Sequence, residues 1–262
     1  MGEKTLDHLI NLIHQHTGIH MTERKESMIK TRIRPRMTLL KIETIEDYIS
    51  HLESNQKEVQ EFINQITTNE TSFFRTPRIW EYFSKDYLAN WKKENADKTL
   101  EIWTAASSTG EEGYSIAMTC LDEGVTNFKI HGTDISQEVV DIATKGFYEG
   151  RNFVNFSAEF TAHKDKYFDP APNGMKAKRI LKEHLQFELH NLFKPLKSGK
   201  QFDIVFLRNV LIYFTNEDQA KVLKIVSQHM KKGGVLVLGE AESIFRLETN
   251  FKYKAPLIYT NE

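Results

Sequence analysis

From Leu100 onward the sequence repeatedly condenses into short apolar runs separated by stretches of helical periodicity. The runs are LEIW (Leu100–Trp103), FKIHG (Phe128–Gly132), LQFEL (Leu185–Leu189), FDIVFL (Phe202–Leu207) and VLVLG (Val235–Gly239). Consecutive apolar positions suit strands buried on both faces, with the intervening helices as covering layers. A parallel, doubly wound α/β sheet is therefore predicted, and such sheets bind ligands at the carboxyl ends of their strands. Before Leu100 the pattern differs. From Thr5 to about Thr68 apolar residues recur at helical spacing, as in Leu6, Leu9, Ile10 and Ile13, or Val59, Phe62, Ile63 and Ile66. No strand-like run interrupts them, so a small all-helical N-terminal domain is expected over 1–70. The aromatic spacing Trp80, Phe83, Tyr87, Trp91 predicts a connecting helix within a linker over 71–98. The sheet domain then covers 99–262, with a small antiparallel β insertion at about 164–184 signalled by the turn chemistry of DPAPNG.

Charge and cysteine content narrow the function classes. The 35 Lys and Arg against 36 Asp and Glu leave a net charge of −1, which argues against a globally basic nucleic-acid binder. The single Cys120 has no internal disulfide partner, favouring a reducing, cytoplasmic location. No stretch approaches the ~20 apolar residues of a membrane helix, so direct membrane insertion is not expected. The ten histidines form no metal-ligand pattern and no metal is expected.

Three loops at the predicted strand ends carry candidate chemistry. After LEIW, the small residues of TAASSTG lead into a helix and let a ligand approach backbone, or simply form a tight loop with Ser108 or Thr109 as N-cap. Glu111 and Glu112 would repel a pyrophosphate there. Asp134 ends the second strand, 24 residues past Gly110, where a carboxylate can accept ribose hydroxyls or cap the next helix. The pair favours an adenosine ligand without phosphates, for which S-adenosylmethionine is the commonest candidate. After FDIVFL, Arg208, Asn209 and Tyr213 face the same cleft or serve as cap and packing residues. The tract Asn69–Arg75 reads first as a linker whose Phe pair buries the junction, leaving Asn69, Thr71 and Arg75 to line an interdomain cleft. From Met28 to Lys41 there are five cations and no acids. Arg32 and Arg36 share one helical face, which suggests an acidic partner, while Pro35 should kink or restart the helix near Arg34.

The motifs NETSFFR (Asn69–Arg75), WTAASSTGEEGYS (Trp103–Ser115), GTDIS (Gly132–Ser136) and FLRNVLIYF (Phe206–Phe214) occur in this order. In them the chain resembles the chemotaxis receptor methyltransferases, the CheR family, over nearly its whole length. The resemblance implies a Rossmann-like S-adenosylmethionine-dependent methyltransferase domain with a helical N-terminal domain and a small antiparallel β-subdomain. It also implies protein-glutamate O-methyltransferase activity that yields S-adenosylhomocysteine and glutamyl methyl esters. The implied partners are the cytoplasmic helical domains of methyl-accepting chemotaxis receptors, met by a cytoplasmic monomer. By motif, the cofactor residues are Asn69, Thr71, Arg75, Glu112, Asp134, Asn191, Leu192, Arg208 and Asn209. Arg75 and Tyr213 resemble the catalytic residues nearest the transferred methyl, and Lys30, Arg32 and Arg36 are the expected receptor-docking cations. Gly113 and Ser107 depart from the family's usual Pro and Ala or Cys, which bears on loop rigidity. The compact turn from Asp169 to Gly174 predicts no tether to a receptor C-terminal peptide.

Overall fold

The computed structural model describes residues 2–95, 97–150 and 161–262. The N-terminal part folds as α1 (Glu3–Thr17), α2 (Glu26–Leu40), α3 (Ile45–Ser54) and α4 (Gln56–Ile66). Gly18 ends α1 in the left-handed region, φ 74°, and a Cβ there would lie 2.0 Å from the Phe193 ring. Thr44 caps α3 by accepting from Asp47 N, and the Asn55 side chain caps α4 by accepting from Lys57 and Glu58 N. The expected kink at Pro35 does not break α2, which is assigned as one helix from Glu26 to Leu40. Pro35 and Thr31, whose carbonyl loses its usual donor, are both exposed, so water can satisfy the freed oxygen.

The connecting segment is helical over α5 (Pro77–Tyr82) and α6 (Ala89–Glu94), with a π-helical stretch, Phe83–Leu88, between. Its aromatic stripe packs on the sheet, Trp80 stacked on Phe206 at 6.1 Å and Phe83 edge-on to it at 5.4 Å.

The five predicted strands are present as β1 (Leu100–Ala105), β2 (Phe128–Asp134), β6 (Leu185–Leu189), β7 (Phe202–Leu207) and β8 (Met230–Leu238), paired in parallel. The sheet is nonetheless mixed. A hairpin of β9 (Phe251–Ala255) and β10 (Ile258–Asn261) joins it antiparallel, giving the order β6-β2-β1-β7-β8-β10-β9. The smaller sheet contains the expected hairpin, β4 (Phe168–Ala171) and β5 (Gly174–Ala177). It also contains β3 (Phe147–Glu149), which follows α8 (Gln137–Lys145) and lies outside the expected insertion. From β1 the chain proceeds outward through β2 to β6, then returns to β7 on the other side of β1. The carboxyl ends of β1 and β7 therefore flank a topological switch point, where crossover connections diverge and leave a crevice.

Among the described residues, the core of the helical part is continuous with that of the sheet. Leu9, Ile13, Ile29 and Phe62 belong to one buried cluster with Trp103, Val205 and Leu236 on one face of the sheet. The opposite face packs Ile102, Ile204 and Phe206 against Phe73, Trp80 and Phe83. Among the described residues, no helix is long and apolar enough to cross a membrane.

Candidate active site

An open cleft enclosing about 950 Å³ lies at the switch point, between the sheet's carboxyl edge, the end of α1 and the segment after α4. The loop from β1 to α7 (Glu111–Asp122) reaches it through three left-handed residues, Ala106, Ser108 and Gly110, with φ of 59°, 49° and 96°. Neither Ser108 nor Thr109 caps the helix; Gly110 occupies the N-cap position without a side-chain bond. The Ser108 hydroxyl instead donates to Asn69 O, joining this loop to the NETSFFR tract.

Asp134 is buried in the floor of the cleft. Its Oδ2 accepts from Ser108 N at 2.8 Å and its Oδ1 from Ser136 N at 3.0 Å. Burial pushes its carboxyl pKa up and these backbone bonds pull it back. The Ile135 N–H also meets this carboxylate and lowers its pKa, so three backbone donors face an acceptor of about four sites, and capacity remains for a ligand hydroxyl. Glu112 lines the cleft beside it, accepting from Thr104 Oγ1 at 2.7 Å and from Arg208 Nη1 at 2.7 Å. Arg208 is 5% exposed and donates through Nη2 to Arg75 O at 2.8 Å, while among the described residues its Nε has no partner. Glu111 does not face the cleft. It is fully buried beneath the loop, accepts from Thr109 Oγ1, and burial raises its pKa. The expected repulsion of phosphate by two carboxylates therefore reduces to Glu112 alone, whose charge Arg208 offsets.

Arg75 is presented by a doubly kinked turn, since Phe74 and Thr76 on either side are left-handed at φ 52° and 66°. Phe74 N bonds Ser115 Oγ, and Arg75 O accepts from both Trp80 Nε1 and Arg208, so the backbone is held while the guanidinium reaches Glu70 O and the cleft. The tract is anchored by buried Phe73, edge-on to Tyr148 and Phe168 of the smaller sheet at 5.0 and 5.5 Å, and by buried Phe74, edge-on to Trp80 at 5.5 Å. Opposite, a three-residue 3-10 helix, Leu211–Tyr213, places Tyr213 on the cleft wall. Tyr213 is half-buried, and among the described residues its hydroxyl has no hydrogen-bond partner. Asn69, Thr71, Asn191, Leu192 and Asn209 also line the cleft. Asn191 supports the wall as well, donating to His16 O at the end of α1 and accepting from Phe193 N.

The fold brings all nine cofactor candidates and Tyr213 to one cavity. It does not present the three docking candidates as a free cationic face. Arg36 makes a two-pronged ion pair with buried Glu58, at 2.7 and 3.1 Å. Arg32 donates to the carbonyls of Ile66 and Thr67 and to Thr68 Oγ1, closing the end of α4. Lys30 pairs with Glu26 one turn earlier. Two contributors escaped the sequence reading. Thr17 and Ile19 bring the end of α1 into the cleft wall. Glu242 accepts backbone N–H groups of the Asn209–Leu211 turn; an acid three residues beyond the strand VLVLG was the available signal.

These residues suit S-adenosylmethionine. The buried Asp134 has acceptor capacity that ribose hydroxyls could use, and Glu112 and Arg75 supply the anion and cation that an ammonium and a carboxylate would need. The buried Ser107 hydroxyl in the cleft, without a partner among the described residues, adds a donor. Residues 4–67 match the family model described as CheR methyltransferase, all-alpha domain, and residues 69–257 that of CheR methyltransferase, SAM binding domain. The chain is similar to the chemotaxis protein methyltransferase of Escherichia coli (strain K12), 33% identical over 258 residues that cover 95% of this chain and 87% of the relative. It is also similar to that of Borreliella burgdorferi, 29% identical over 266 residues covering 97% and 93%. Chemotaxis protein methyltransferase 2 of Pseudomonas aeruginosa is 33% identical over 236 residues, covering 87% and 82%. Since the matches run in order through both the helical part and the sheet that together wall the cleft, the chain belongs to the CheR methyltransferase family.

Proposed function

We propose that Tyr213 orients an incoming glutamate carboxylate in this cleft while Arg75 chiefly holds the cofactor. The enzyme is an S-adenosylmethionine-dependent protein-glutamate O-methyltransferase that forms glutamyl methyl esters on membrane chemoreceptors during chemotaxis adaptation. When bound, the cofactor supplies a methyl group already activated on sulfonium sulfur and departs as S-adenosylhomocysteine. Asp134 accepts the ribose hydroxyls; Glu112 and Asn69 serve the ammonium end; Arg75 and Thr71 serve the carboxylate. Asn191 and Leu192 would border the adenine base, and Arg208 and Asn209 would complete the cofactor's wall of the cleft.

A glutamate side chain, with reference pKa about 4.3, is anionic near neutral pH, so no residue of the cleft needs to act as general base. What remains is alignment, which the protein supplies by fixing donors in advance. The observation that carries this reading is the unpartnered Tyr213 hydroxyl on the wall of the cavity that holds Asp134 and Arg75. Arg75 is the weaker candidate for the carboxylate, because a full ion pair would quench the nucleophile.

Docking of the acidic receptor helices is assigned to the exposed side of α2. Lys30 and the exposed Arg34 carry it, and Arg32 and Arg36 act mainly by holding that helix in place. The enzyme works as a cytoplasmic monomer on the receptors' cytoplasmic helical domains, without entering the membrane. Incubation with methyl-labelled S-adenosylmethionine and receptor-bearing membranes tests this. Base-labile label on the receptor is expected; absence of label, or label stable to base, would overturn it.

A further inference from the structure

The segment that follows β8, Gly239 to Glu242, takes no part in the cleft lining, yet it contains a buried acid with an unusual set of donors. Glu242 is 7% exposed. Its Oε2 accepts from Gly239 N at 2.6 Å and Asn209 N at 2.9 Å, and its Oε1 from Val210 N and Leu211 N, both at 2.8 Å. Four bonds fill the acceptor capacity of a carboxylate, so Glu242 is spent on backbone and is not a ligand group. Three of the donors are consecutive and form the turn that leaves β7 and enters the 3-10 helix Leu211–Tyr213. Successive N–H groups converge on one anion where the backbone curls into a nest, and Asn209 at φ 60° supplies the left-handed residue that makes it curl.

A 3-10 helix of three residues has too few internal bonds to fix its own direction. Its far side is held by Gln219 Nε2, which donates to Leu211 O and Phe214 O, and by His20 N, which donates to Tyr213 O. Its near side is held by Glu242. We propose that Glu242 is a positioning residue of the active site, a buried anion that locks the Asn209–Leu211 turn and so aims the Tyr213 hydroxyl into the cleft. The inference rests on the role given to Tyr213 above.

Glu242→Gln keeps the shape but sets an amide N–H₂ against one pair of backbone donors, so the turn loosens. Gly239→Ala attacks the same cradle independently. A Cβ there would lie 2.7 Å from Asn209 Nδ2, 2.8 Å from Glu242 Oε2 and 2.9 Å from Asn209 N. The test is a double-mutant cycle on the full chain. Single-turnover methyl transfer to receptor, S-adenosylmethionine affinity by calorimetry and the thermal midpoint are measured for wild type, Glu242→Gln, Tyr213→Phe and the double variant.

Glu242→Gln is expected to slow transfer about ten- to hundredfold while cofactor affinity stays within about threefold. In the Tyr213→Phe background the same substitution should cost less than about threefold, because the group it aims is already gone. Should Glu242→Gln fail to fold, Gly239→Ala replaces it in the cycle with the same expectation. Losses that multiply in full, or an unchanged rate in Glu242→Gln beside a slow Tyr213→Phe, would overturn the inference alone. A wild-type rate in Tyr213→Phe would overturn the Tyr213 reading and the inference with it.

Discussion

Charged residues crowd two regions of this molecule, helix α2 and the carboxyl edge of the central sheet, and the fold puts them to opposite uses. On α2, Arg36 meets buried Glu58 and Arg32 meets the carbonyl end of α4, so both guanidinium groups are satisfied by the neighbouring helix. At the sheet edge, Asp134, Glu112 and Arg208 are also hydrogen-bonded, but around an open cleft that they line. Topology makes the difference. Packed helices bring a helix end beside a neighbour's flank, which offers acceptors to any long cation there. Strands whose connections diverge to opposite sides leave a gap that only a ligand can close. A cluster of charges in sequence thus says little until it is known whether the fold closes over it.

If the α2 arginines build the fold, their loss should show first as stability. Arg36→Ala leaves Glu58, 3% exposed, without its cation, and should destabilise the protein by about 3 kcal/mol, the low end for a broken buried pair because Arg36 keeps some solvent contact. An unchanged denaturant midpoint would mean that Glu58 is satisfied by Tyr48 alone.

The seam between the N-terminal helices and the sheet's covering helices gives a second, smaller effect. Asp218, at the start of helix Asn216–Gln228, accepts from His14 of α1 at 2.8 Å. Burial alone would raise its pKa, yet hydrogen bonds from Lys221, His14 and Thr215 hold it at about 2, below its ordinary 3.8. A depressed carboxylate stabilises the fold above its unfolded pKa and loses that contribution as pH falls through the folded one. Stability should therefore drop by about 2 kcal/mol between roughly pH 4 and pH 2 on account of this group. Asp218→Asn should flatten that part of the pH–stability curve, and an unaltered curve would remove Asp218 from the seam.

The smallest effect belongs to the cations that α2 leaves exposed. Lys30→Glu with Arg34→Glu should raise the receptor concentration for half-maximal methylation about two- to fivefold at low salt, and the difference should fade as salt screens the contact. Identical kinetics across a salt series would leave α2 a purely structural helix.

Strands β1, β7 and the end of β8 were legible because burial on both faces writes continuous apolar runs, whereas β6 showed only the apolar alternation of LQFEL. The β9–β10 hairpin was not legible, since FKYKA is an outer strand whose Lys252, Tyr253 and Lys254 are exposed in succession, so neither face writes an apolar run. Asp134 was readable from its spacing to Gly110, which the βαβ geometry fixes. The pair Glu111–Glu112 was misread because adjacent helical residues point about 100° apart, so both could not face one cleft. Glu58 and Ile66, which occupy Arg36 and Arg32, stand on another helix, and only the packing of α2 on α4 reveals them. Glu242 was missed for a related reason: an acid three residues beyond VLVLG was on view, but its partners are backbone groups of a distant turn, so its role could not be read.

Calorimetric titration of S-adenosylmethionine into wild type and Asp134→Asn, both checked for folding, is the most direct trial of the claim that the sheet-edge charges surround a ligand. The substituted amide retains the side-chain volume and one acceptor for the loop N–H groups, so the fold should persist where Ala would release both Ser108 N and Ser136 N. The predicted result is a loss of affinity of about ten- to hundredfold with a thermal midpoint close to wild type. Wild-type affinity in the folded variant would contradict it, and would place Asp134 with the α2 arginines as a group that only holds the chain together.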